Sequence, residues 1–177
     1  MSFMKNAISL AKKASDMGEI PVGAVIVKDN EIIASAYNTR EADCDATAHA
    51  EILAITKANE KLNSWRLDDC DIYVTLEPCP MCTGAIINSR IKKVVFGASD
   101  YKAGSMGSVI NLCDLPYNHK PEVISGVLKD ECAESPRELE QMLGLSRKTV
   151  SKQIWYAKKI KQNVNILKLK LINVKFS

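Results

Sequence analysis

Hydrophobic and polar positions along this 177-residue chain change their period several times, and each change marks an element. Over 2–17, Phe3, Ala7, Leu10, Ala11 and Ala14 recur at helical spacing, which predicts an amphipathic helix with Ser2 as N-cap and Gly18 as its stop. Val22 to Val27 is a short apolar run, the pattern of a buried strand. Lys28-Asp29-Asn30 reads as a turn and 31–37 as the returning strand of a hairpin. The polar stretch 38–47 has no period and reads as a loop. A helix is expected over about 48–62 with Thr47 as cap, a third strand over 71–76, and, after Pro78, a helix over about 79–90. A fourth strand (93–97), a long loop (98–121) with one helical turn near 109–113, a fifth strand (122–127) and a helix starting at Lys129 complete the pattern.

After the hairpin, strands alternate with helices. That order predicts an α/β layered sheet with parallel pairing wherever a helix intervenes. Trp65 and Tyr73 are expected in its core rather than as base-stacking residues. The composition, 46% hydrophobic and 25% charged, excludes collagen-like, wholly disordered and coiled-coil classes. No apolar run is long enough to cross a membrane, and the first residues carry no signal-peptide pattern, so a cytoplasmic protein is expected.

The net charge of +3 is an average of two unlike parts. Residues 1–134 hold 14 basic and 19 acidic side chains, whereas 135–177 hold 10 basic and 2 acidic ones. A composition break at Glu134-Ser135-Pro136 therefore separates an acidic body from a basic extension suited to a polyanion.

Six cysteines fall at 44, 70, 79, 82, 113 and 132, and only Cys79 and Cys82 have a chemically meaningful spacing. They open one expected helix, and His49-Ala50-Glu51 opens another at the same edge of the sheet. Helix N-termini favour anions, so both thiols should ionise readily there. Two thiolates and an imidazole supply three zinc ligands and leave the fourth position for water, the pattern of a catalytic site. Zinc lowers the pKa of that water towards about 7. Glu51 then stands where a carboxylate can move its proton. A closed structural zinc site would need a fourth ligand, and neither Cys44 nor Cys70 has ligand-like spacing. A thioredoxin-like reading does not explain the paired His-x-Glu. H-x-E followed by P-C-x-x-C is the signature of zinc nucleobase deaminases.

At these residues the chain resembles the bacterial tRNA-specific adenosine deaminases of the cytidine deaminase superfamily. Residues 18–25, Thr47 to Glu51, Val74 to Cys82, Asn88 to Ile91, Val94 to Asp100 and Gly126 to Ala133 carry the likeness. The resemblance implies a three-layer α/β/α domain over 1–134 with a mixed five-stranded sheet, a homodimer and one zinc ion per subunit. It implies a tRNA anticodon stem-loop as partner and deamination of its wobble adenosine to inosine. By motif position His49, Cys79 and Cys82 would be the zinc ligands and Glu51 the proton shuttle. Asn38, Ala48, Asn118 and His119 would contact substrate. Read without the family, Asn38 is a turn residue and His119 a surface one. Ala46 stands where the family usually has Pro, an expected loosening of the loop before His49.

Residues 135–177 diverge from the family. Residues 135–154 resemble a helix-turn-helix. Two helices bury too little to stand alone, and 163–176 alternate only loosely, as a strand. A basic extension touching tRNA phosphates and a tail of little function are the competing readings. Two other functions remain: a free-nucleobase deaminase acting on guanine or cytosine, since Pro80 is also seen in guanine deaminases, and a nucleic-acid-binding protein with structural zinc.

Overall fold

The computed structural model describes residues 2–133, and the expectations for 134–177 lie outside them. Helix α1 (Ser2–Asp16) leads into the hairpin β1 (Gly23–Lys28) and β2 (Glu31–Tyr37). Asp29 and Asn30 both take left-handed backbone, with φ of 49° and 66°. Their short polar side chains tolerate this region, and the two-residue turn it makes matches the twist of the flanking strands. The short helix α2 (Arg40–Asp43) and α3 (Ala50–Leu62) precede β3 (Cys70–Leu76), α4 (Pro80–Asn88) and β4 (Lys93–Ala98). A 3₁₀ turn (Leu112–Asp114) and β5 (Glu122–Ile124) follow, and residues 129–133 are helical.

The five strands form one mixed sheet in the order β2-β1-β3-β4-β5. β1 runs antiparallel to both neighbours, while β3, β4 and β5 are parallel. Alternation along the strands gives each face its own core. Ala24, Ile26, Ile72, Val74, Val94 and Phe96 lie with α3 and α4. Tyr73, Val95 and Ala98 lie with α1 and Cys132. This is the three-layer α/β/α arrangement expected. α1 lies so close to β1 that a Cβ on Gly23 would stand 2.1 Å from the Ala7 carbonyl oxygen, so this contact needs glycine.

Several expectations need correction. The stretch 38–47 is not all loop, because α2 forms within it. This helix buries no side chain, so it leaves no hydrophobic period in the sequence. Thr47 does not cap α3; His49 holds the N-cap position. The fifth strand ends at Ile124, before Gly126 turns the chain with φ of 80°. Tyr73 packs on Phe3 with ring centroids 5.4 Å apart, but Trp65 is not in the core. It is 59% exposed, with the Arg66 guanidinium 5.2 Å from its ring centroid.

Candidate metal and nucleotide site

β3 and β4 are parallel, so the chain leaves both at the same end of the sheet, and the site is built there. His49 and Cys79 occupy equivalent places, each an extended residue one position ahead of a helix. Pro80, preset for the first helical position, starts α4 directly after Cys79. Cys82 lies one turn along the same helix. The ligand atoms of His49, Cys79 and Cys82 all lie within 4.8 Å of one another. His49 Nδ1 is 3.7 Å from Cys79 Sγ and 3.6 Å from Cys82 Sγ. One imidazole nitrogen and two sulfurs at this spacing form a donor set that fits zinc.

The approach to His49 is braced by hydrogen bonds, against the loosening expected around Ala46. Asp45 Oδ1 accepts hydrogen bonds from the Thr47 amide (2.7 Å) and hydroxyl (2.8 Å), and the His49 amide donates to the Thr47 carbonyl.

Without a cation the two thiols share one proton. A hydrogen bond from Cys82 brings the Cys79 thiol down to about 4, with further help from His49. Cys82 is pushed up because it keeps the proton that it donates. Two thiolates so close repel each other, and a cation at the site is what would let both ionise. The hydrogen bond to Cys79 raises His49. Glu51, buried in the first turn of α3, is pushed up to about 7 by burial. A carboxyl group that titrates near neutrality can both take and release a proton.

These groups open onto a cavity of about 520 Å³. Its walls include Asn38, Arg40, His49, Glu51, Glu77 and Cys79, with Tyr101 and Lys102 on the loop after β4. Asn38 is buried, and its Nδ2 donates to Glu19. Ala48 is buried beside it, with its carbonyl accepting from the Thr39 amide. Asn118 and His119 do not line this cavity. Asn118 accepts from Arg90, and His119 Nε2 lies 2.7 Å from the Ile91 carbonyl, ahead of β4 and so at the opposite end of the sheet.

Sequence reasoning missed two carboxylates, Glu19 and Glu77. Both are buried, Glu77 in the cavity wall and Glu19 against the wall residue Asn38. Burial alone would push Glu77 up, but hydrogen bonds from Ser108 and from the Met106 and Asp100 amides hold it below the usual range. Each stands among apolar residues shortly before a proline, as Gly18-Glu19-Ile20-Pro21 and Leu76-Glu77-Pro78, and that was the available signal.

Residues 1–131 match the family model of the MafB19-like deaminases. The chain is 49% identical over 154 residues to the tRNA-specific adenosine deaminase of Bacillus subtilis (strain 168), covering 84% of this chain and 96% of that protein. A solved structure from studies of A-to-I editing by tRNA:A34 deaminases at the wobble position of transfer RNA superposes with a TM-score of 0.74. It is 42% identical and matches 76% of this chain and 98% of that one. A guanine deaminase from Bacillus subtilis is more distant, at 30% identity and a TM-score of 0.53 over 82% of this chain and 94% of its own. By the family match over 1–131 and these identities, the chain belongs to the family of tRNA-specific adenosine deaminases.

Proposed function

We propose that this protein hydrolyses adenosine to inosine at the wobble position of a tRNA anticodon. The observation that carries the chemistry is the buried Glu51 carboxyl, brought to about 7 beside the His49–Cys79–Cys82 donor set at the wall of one cavity. The choice of adenosine in tRNA rests on the relatives at 42–49% identity, against 30% for the guanine deaminase.

His49, Cys79 and Cys82 would hold one zinc ion per subunit, which when bound supplies a water acidified towards neutral pKa. The remaining work falls to the chain. A cavity of about 520 Å³ lies in the range that encloses a nucleoside, so the target base must leave the anticodon stack to enter it. Asn38, tethered by Glu19, holds the nucleotide, with the Ala48 backbone behind it. Glu51 takes one proton from water and passes it to the ring nitrogen beside C6 as the water oxygen bonds to C6, then moves the remaining proton of that oxygen to the C6 amine, which departs as ammonia and leaves the C6 carbonyl of inosine. Arg40 and Lys102 stand at the cavity where phosphates of the flanking nucleotides would run. Asn118 and His119, at the other end of the sheet, take no part in holding the target base.

Exposed apolar side chains at Val109, Ile110, Leu115 and Tyr117 favour a homodimer that covers them. The basic residues of 135–177 supply attraction for tRNA that the acidic body lacks. Six free cysteines suit the reducing cytoplasm, where this substrate is found, and no helix among the described residues is long and apolar enough to cross a membrane.

The deciding experiment incubates zinc-loaded protein with an anticodon stem-loop carrying a wobble adenosine and maps inosine by mass spectrometry. Absence of inosine sinks the reading. Ammonia released from free guanine, with none from the stem-loop, would establish the nucleobase alternative.

A further inference from the structure

The loop after β4 carries Asp100 to Ala103 along the cavity wall, and it is wound around one side chain. Glu77 is 2% exposed. Its Oε1 accepts from the amides of Met106 (2.9 Å) and Ser108 (3.1 Å), and its Oε2 accepts from the amide of Asp100 (3.2 Å). The next residue continues the attachment, because the Pro78 carbonyl accepts from the amide (3.0 Å) and hydroxyl (2.9 Å) of Ser105. Ser105 Oγ also lies 2.7 Å from Thr83 Oγ1 on α4, and both residues are fully buried. Cys79 follows Pro78 in the chain, so the donor set and the loop hang from the same two residues.

Gly104 gives an independent sign of how tightly the loop closes on this carboxylate. A Cβ there would stand 2.5 Å from both Glu77 Cδ and Oε2, and 2.5 Å from the Asp100 carbonyl oxygen. No side chain fits between the loop and Glu77.

We propose that Glu77 is a positioning residue that fixes the cavity-lining loop 100–108 relative to Cys79, so that the nucleotide-holding wall and the metal donors keep one spacing. The carboxylate offers acceptors only, which is what three converging amides require. In Glu77→Gln the amide oxygen can still serve Met106 and Ser108, but its NH₂ group then faces the Asp100 amide, donor against donor. The half of the loop that lines the cavity is released first.

The functional arm of the test rests on the tRNA reading above, and the exchange arm does not. Zinc-loaded full-length Glu77→Gln and Gly104→Ala are compared with the parent by hydrogen–deuterium exchange, zinc stoichiometry and steady-state kinetics on the wobble-adenosine stem-loop. The expected result is faster exchange across 100–108 with α1 unchanged, full zinc content, KM raised about tenfold and kcat within about threefold in both variants. Unchanged exchange in the loop overturns the proposal. So does zinc loss, or a fall in kcat at constant KM, because either makes Glu77 a support of the donor set. An effect of Glu77→Gln that Gly104→Ala does not reproduce assigns it to charge and also overturns the proposal. If Glu77→Gln does not fold, Gly104→Ala decides alone. A parent protein that deaminates no RNA defeats the functional reading, while the exchange data still decide the role of Glu77.

Discussion

Asn38, in the cavity wall, and Glu19 form a buried pair, with Asn38 Nδ2 donating to Glu19 Oε2 at 3.1 Å. The same carboxylate accepts the amides of Glu41 (3.2 Å) and Ala42 (2.8 Å) and so holds the start of α2. Glu19→Ala removes the acceptor from all three donors. Of these only the Asn38 amide is buried, and leaving it unpaired costs about 1–3 kcal/mol, while water can take the exposed Glu41 and Ala42 amides. The expected outcome is a melting temperature lower by several degrees and a reduced kcat/KM, with zinc content unchanged. Thermal unfolding and metal analysis check this.

Under the proposed function Glu51 carries the proton transfers, and it is not part of the His49, Cys79 and Cys82 donor set. Glu51→Gln should therefore keep zinc while lowering kcat by about 10²–10⁴-fold, the usual contribution of a positioned acid–base group. Zinc content measured beside inosine formation separates this from a structural role. Loss of the metal would make Glu51 part of the metal-holding scaffold.

Removing the metal exposes the unequal thiols. Cys79 lies at about 4 in the metal-free site, whereas burial pushes Cys132 up to about 11. A thiol reacts as its thiolate, so the pH dependence follows from these directions. After chelation, Cys79 should be alkylated at pH 6 at nearly its pH 8 rate, slowing only as the pH falls towards 4. Cys132 should resist at both values while the protein stays folded. Zinc added before the alkylating reagent should protect Cys79. Peptide mapping by mass spectrometry reads all three outcomes.

The extension 135–177 holds 10 basic and 2 acidic residues. Lysines and arginines that neutralise phosphates there release counterions, so affinity for the stem-loop should fall steeply with salt. Deleting 135–177 should weaken binding and flatten the plot of log affinity against log salt by about 0.7 for each phosphate that the tail neutralises. Titrations at several salt concentrations test this, and an unchanged slope makes the tail a bystander.

Tyr101 is 76% exposed on the cavity-lining loop, and under the proposed function it would stack on a base next to the target. Tyr101→Ala should raise KM for the stem-loop by about 5-fold or more, given about 1–3 kcal/mol per stacked base, with little change in kcat. Kinetics on substrates with different flanking bases would show whether the loss depends on the neighbour.

The sequence by itself determined the features written in short range. The 3.6-residue period of α1, the apolar run of β1 and the Asp29-Asn30 turn placed those elements to within a residue or two. The motifs around His49 and Cys79 named the donor set because ligand types and helix starts are local properties. Only the tertiary structure decided how separated carboxylates are used. Glu19 reaches residues 22 and 23 positions away to hold α2, a helix too polar to show a period. Glu77 reaches up to 31 positions to wind the loop 100–108. Trp65 was likewise misplaced, because an aromatic side chain does not reveal in sequence whether any surface will cover it. Local chemistry is carried by neighbours along the chain, whereas burial and the satisfaction of distant amides depend on which segments folding brings together.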